Sequence, residues 1–420
     1  MDQSANRLPA QDLRVLSRNL ATARDEQIMR VVAMVDGLDR RGAADGIIAP
    51  LRARLAELHP TRPLRFSRLL FLPLDPLIVP AARWRPGSAT VPRTALAPLA
   101  AAVEGALGPA GGAIAAAIAG HSSVDKASIA EAGEILWPRA GAILAAAPAL
   151  AGWPATGLPT ASAPVIANAV GAVLLAAVPL RGLVAGAEIG VVLEPEPVQA
   201  ILAEVATSGS EALAMAVAVL LAWLPEAAEL LPRGASVLGP DGTTLMRLAV
   251  GQAAEVLLDR LEARGGSEAV VANRLDISGA AVRRITTLLD ALDAAGPPER
   301  RRRLAAIRGR LEQDCRSRFA RGIETGVAGA LQSMGRSPTP KGLAGVEETA
   351  RGLRQLEGAA RRLGGGAFYD TLLRDTAAAV WASPVDGPLG VADKVRLVEI
   401  LSGSDEADAL LEGATPARRA

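Results

Sequence analysis

The sequence predicts an all-α protein, an irregular multi-helix bundle or α-solenoid-like array with no significant sheet. Three observations point there. Half of the 420 residues are hydrophobic but only 2% are aromatic, and alanine, the strongest helix former, supplies much of that half. Apolar residues recur at three- and four-residue spacings, and no stretch alternates at the period of two that a half-buried strand needs. Forty-two glycines allow helices with small side chains to approach closely.

Charge divides the chain into five stretches. Residues 1–60 hold 9 basic and 8 acidic groups on two helical patterns, 11–38 and 43–58. In the first, Leu13, Leu16, Leu20, Ile28, Val31, Val32 and Val35 form one apolar face. Residues 61–94 hold six arginines, one acid and many prolines. Pro73, Pro76 and Pro80 forbid a continuous helix, so the expectation is a short helix followed by an extended, partly buried strap. Arg65, Phe66, Arg68, Phe71, Arg83, Trp84 and Arg85 make this strap the candidate for docking a partner helix or an anionic lipid surface. The plainer expectation is a bridge whose arginines pair with acids farther along.

Residues 95–240 hold 4 basic and 11 acidic groups, with no charge between Arg139 and Arg181. Such a stretch is either the core of a helical assembly or membrane-embedded. Prolines at 148, 154, 159, 164 and 179 are expected to cut it into pieces shorter than the roughly 20 residues of a spanning helix. Buried helices are therefore the expectation, with membrane association through 161–224 as the alternative. Residues 241–335 return to high charge and contain a long amphipathic helix from about 297 to 334. Residues 336–420 predict helices near 341–363, 367–382 and 391–401.

All five tryptophans precede a proline within three residues: Trp84, Trp137, Trp153, Trp223 and Trp381. The pattern predicts apolar helices ending on a core anchor, with proline breaking the helix or opening the next one.

Much chemistry is missing from the sequence. None of Lys126, Lys341 and Lys394 follows a glycine, so there is no phosphate loop, and no G-x-G-x-x-G occurs. His59, His121 and the lone Cys315 do not supply a usual zinc site, and no cofactor is expected. Ser123 and Lys126 stand at S-x-x-K spacing, but no K-T-G accompanies them. A serine opening a helix, with Asp125 in its first turn, is the expected reading. Arg316 and Arg318 beside Cys315 could favour a thiolate, although a single helical cysteine is more often a packing residue.

One segment carries a pattern. Residues 268–290, EAVVANRLDISGAAVRRITTLLD, resemble the helix-turn-helix of bacterial repressors. Val271, Ala272, Leu275, Ile277, Val282 and Ile285 would pack two helices together. Ser278 would cap the second, and Arg283 and Arg284 would face duplex DNA. Asp276 stands where the turn usually has glycine, and Ala281 replaces the usual threonine.

The formal charge of +1 implies no overall nucleic-acid coat, and the polar first dozen residues contain no secretory signal. The expectation is a non-enzymatic interaction or scaffold protein of the bacterial cytoplasm whose partner is another protein. The alternatives are a DNA-binding regulator using 268–290 and a membrane-associated protein using 161–224.

Overall fold

In a computed structural model of the protein, the described residues are 23, 25–37, 51, 55, 62–146, 149–233, 235–263, 275–293, 297–334, 339–383 and 389–414. Among them are 16 α-helices and one two-stranded sheet, an all-α fold. The chain forms two compact units, Met1–Arg260 and Leu261–Ala420.

The first unit opens with α1 (Asp25–Gly37), whose Ile28, Val32 and Val35 pack with Leu51 and Leu55. The rest of the pattern over 43–58 lies outside the described residues. The strap follows. Its helix α2 (Phe66–Leu70) leads into a 3₁₀ segment, Leu72–Leu77, where prolines forbid a regular helix. Strands β1 (Ile78–Val79) and β2 (Val91–Pro92) then pair in parallel, Ile78 opposite Val91.

The low-charge stretch supplies α3 (Leu96–Leu107), α4 (Pro109–Ala117), α5 (Lys126–Ala145), α6 (Ser162–Glu188), α7 (Pro195–Ala206) and α8 (Ser210–Trp223). Ten consecutive residues of α8, Ala212–Leu221, are buried. A helix apolar on every side must be enclosed, and α6, α7 and the strap's 3₁₀ segment pack around it. Helices α5 and α6 form the most extensive pairing. They cross where Gly141 faces Gly171: a Cβ at Gly171 would lie 2.8 Å from the main-chain nitrogen of Ala145 and 2.9 Å from the carbonyl oxygen of Gly141.

Two prolines do not act as expected. Pro138 lies inside α5, and Pro179 lies inside the 27-residue α6, so the Trp137-Pro138 pair does not end a helix. An interior proline costs about 3 kcal/mol. Burial of Leu136, Trp137 and Ala140 beside the first, and of Ala176, Ala177 and Leu180 beside the second, offsets that cost. The other pattern holds at Trp223, which ends α8 before Pro225 opens a 3₁₀ turn. Helix α6 is thus long and apolar enough to cross a membrane, with mean hydropathy 2.0, but 61% of that window is buried inside the protein. The unit closes with α9 (Gly242–Ala263), whose last residues enter the second unit.

The second unit contains α10 (Leu275–Asp293), α11 (Pro298–Arg321), α12 (Gly329–Ser333), α13 (Pro340–Ala360), α14 (Gly366–Ala382), α15 (Val391–Ser402) and α16 (Ser404–Ala414). A π-helical segment, Gly322–Ala328, joins α11 to α12. Its cause is legible in the buried row Leu311, Cys315, Phe319, Ile323 and Val327. Steps of four drift by about 40° each around a 3.6-residue helix. A looser π turn brings Ile323 and Val327 back to the core side.

Candidate functional site

A concavity in the first unit lies on the strap. It has a volume of about 530 Å³ and brings together Arg65, Arg68 and Arg93. Helix α2 supplies Arg68, and Arg65 immediately precedes that helix. Arg93 follows β2, so the short parallel pairing returns the chain to the cleft after the excursion through Trp84. Phe71 and Leu72 from the 3₁₀ turn, Ile78 from β1 and Leu96 from α3 form an apolar wall. Ser67 and Asp75 complete the polar lining.

Asp75 is also gripped from α9. Arg260 donates from Nη2 to its Oδ2 at 2.7 Å and from Nη1 to its carbonyl oxygen. Arg68 donates to the carbonyl oxygen of Pro63. Behind the wall, Trp137 Nε1 donates to the carbonyl oxygen of Leu69 at 2.9 Å, bolting α2 onto α5. Trp84 Nε1 donates to the carbonyl oxygen of Thr90 at 3.2 Å. Between these anchors, Ala89 is fully buried with φ +52°, the one positive-φ residue other than glycine among those described. Glu211, in the first turn of α8, accepts the main-chain N–H groups of Ala89 and Gly87. Burial raises its pKa, and those two bonds oppose the rise. A carboxylate clamp therefore supports the strained loop.

The seven strap residues expected to dock a partner are not all on the surface. Phe66, Phe71 and Trp84 are core anchors at 9%, 5% and 6% exposure. Arg65 and Arg68 are half-buried at the cleft, whereas Arg83 and Arg85 are exposed outside its lining. Arg85 donates to the carbonyl oxygens of Ala82 and Trp84. The sequence reading missed Arg93, which only the β1–β2 pairing returns to the cleft.

In the second unit, the helix-turn-helix pattern meets a different geometry. Its first helix, up to residue 274, lies outside the described residues. The stretch assigned to the turn, 276–278, falls inside the continuous helix α10, so Ser278 does not stand at a helix start. Arg283 and Arg284 are exposed. One turn before Arg283, Gly279 packs onto the main chain of Gln355 in α13, where an added Cβ would lie 2.9 Å from its carbonyl oxygen. Several neighbouring arginines are held by acids: Arg308 by Asp290 and Asp293 at 3.1 and 2.7 Å, and Arg362 by Asp290 at 2.6 Å.

One other expectation is corrected. Asp125, not a serine, is the N-cap of α5 and accepts the N–H of Ser128 at 3.2 Å. Lys126 reaches Glu188 at 3.1 Å. His121, Asp125 and Ser128 do form a trio, but both partners meet the same nitrogen. Asp125 Oδ2 lies 2.7 Å and Ser128 Oγ 2.8 Å from His121 Nδ1. A nucleophilic relay needs the acid on one ring nitrogen and the hydroxyl on the other. The trio instead holds the Asp125 carboxyl down at about 2, chiefly through the His121 bond and then through Ser128. Cys315 is fully buried. Burial first, then Asp314 and Glu312, pushes its thiol up to about 12, against the thiolate that Arg316 and Arg318 suggested.

Among the described residues, no three His, Cys, Asp or Glu side chains are grouped to hold a metal ion. Comparison with protein-family models, with curated proteins and with solved structures finds no match.

Proposed function

We propose that this is a non-enzymatic interaction protein of the bacterial cytoplasm, a helical scaffold that docks an acidic, partly apolar segment of a partner protein in the strap cleft. The observation that carries this reading is the lining itself. Arg65, Arg68 and Arg93 stand around Phe71, Leu72, Ile78 and Leu96, with Asp75 the one carboxylate among the described lining residues. Guanidinium forks match carboxylates in geometry, and an apolar wall favours burial of a side chain between them. That combination characterises the centre of an interface hot spot. The trio at His121 lends no support to an enzyme reading, because it lacks relay geometry.

The test uses the full chain and a fluorescent amphipathic helix of Glu and Leu, about 18 residues long so that it stays helical in water. Anisotropy should report saturable binding that weakens with salt and is at least tenfold weaker in Arg65→Glu/Arg93→Glu. Absence of binding, or equal binding by the variant, refutes the reading. So does arginine-dependent retention on anionic vesicles without peptide binding, which would put a lipid surface in place of the protein partner.

A further inference from the structure

On the reading that the cleft docks an acidic amphipathic segment, we infer that the segment is helix α16 of a second copy of this chain. Helix α16 carries Asp405, Glu406, Asp408 and Glu412 in eleven residues and no basic residue. No other α-helix among the described residues holds four acids without a base. Asp405, Asp408 and Glu412 are exposed and follow i, i+3, i+7 spacing, so they share one face. Ala407 is buried at 3% and marks the inward side, against α15. Leu411, 37% exposed, borders the acidic face one residue before Glu412 and three after Asp408. One turn after the buried Ala407, Leu411 lies at the edge between the inward side and the carboxylates, and an apolar side chain beside carboxylates is what a wall of Phe71, Leu72 and Leu96 between Arg65 and Arg93 would accept.

The two surfaces are different patches of one chain, so the contact between copies is heterologous. After one contact, one copy keeps its α16 unused and the other its cleft, and association continues head to tail until it closes as a ring or extends as a filament. That is a physical route by which a helical interaction protein becomes a scaffold.

Sedimentation and light scattering on the full chain test this directly. The wild type should exceed its 43.0 kDa monomer mass as concentration rises, and return toward it on going from about 50 to about 500 mM salt. Arg65→Glu/Arg93→Glu should remain monomeric, as should Asp405→Arg/Asp408→Arg/Glu412→Arg. An equimolar mixture of the two should associate again, because each altered surface then has an oppositely charged partner. If the cleft variant loses helicity, the α16 variant, altered only at exposed acids, and the salt series carry the test. A wild type that stays monomeric, association indifferent to both variants, or a mixture that stays monomeric overturns the inference. If the Glu/Leu helix still binds the cleft in any of those cases, the docking reading stands and only the identity of the partner falls.

Discussion

Replacing Gly171 with alanine should destabilise the first unit, while the same change at Gly182 on the same helix should stabilise it. A methyl at Gly171 would sit 2.8 Å from Ala145 N, 2.9 Å from Gly141 O and 3.2 Å from Leu144 C, all main-chain atoms of α5. No side-chain rotation relieves those contacts, so α5 and α6 must separate. Overpacking of this kind costs about 1–3 kcal/mol. Alanine returns up to ~1 kcal/mol through helix propensity. The net loss is therefore up to about 2 kcal/mol, or several degrees in melting temperature for a unit of this size. At Gly182 nothing lies within 4 Å of the added carbon, so only the gain of up to ~1 kcal/mol remains. Tryptophan fluorescence reads mainly the first unit, because Trp84, Trp137, Trp153 and Trp223 precede Arg260 and only Trp381 follows it. Equal stabilisation by the two substitutions would refute a backbone-to-backbone helix crossing.

Three further outcomes follow from the buried and bonded groups. Glu211→Ala should destabilise the first unit by about 1–3 kcal/mol, because the N–H groups of Gly87 and Ala89 lose their acceptor. Glu211→Gln keeps an acceptor and mimics the protonated acid. Because burial raises the native pKa of Glu211, its contribution is fully present below the ordinary carboxylate value and is lost as pH rises through the elevated one. The advantage of Gln over Glu should therefore grow toward neutral pH and vanish in acid, and melts across that range check it. Carboxyl NMR should find Asp125 titrating at about 2 in the wild type and moving up toward the ordinary carboxylate range in His121→Ala. An unmoved titration would remove His121 as the cause. The single Cys315, buried with its thiol at about 12, should resist a thiol reagent at pH 8 and react fully in denaturant. Rapid native labelling would contradict the packing around it.

The helices whose signals are local were legible in the sequence. The spacing that predicts 341–363, 367–382 and 391–401 corresponds to α13 with its 3₁₀ end, α14 and α15. The short helix and broken continuation of the strap follow from Pro73, Pro76 and Pro80. Tertiary burial overrode local preference elsewhere. Pro138 and Pro179 predict breaks, but the core on both sides of each holds α5 and α6 continuous. The first helix of the helix-turn-helix resemblance lies outside the described residues, and α10 is continuous through 276–278, the stretch assigned to the turn. Of the candidate site, Arg65 and Arg68 were legible as a cationic cluster beside apolar residues. Phe66 and Trp84 read as docking residues only because composition does not say which side of a strap faces inward. Arg93 joins the cleft through a two-residue parallel pairing that leaves no periodic signal.

Where the acidic helix sits is the most direct measurement. A Glu/Leu peptide carrying a photo-crosslinking phenylalanine analogue, irradiated with the full chain, should leave adducts within residues 65–78 and 93–100, and these should be lost in Arg65→Glu/Arg93→Glu. Adducts confined to other surfaces, or undiminished in the variant, would contradict the strap cleft as the docking site.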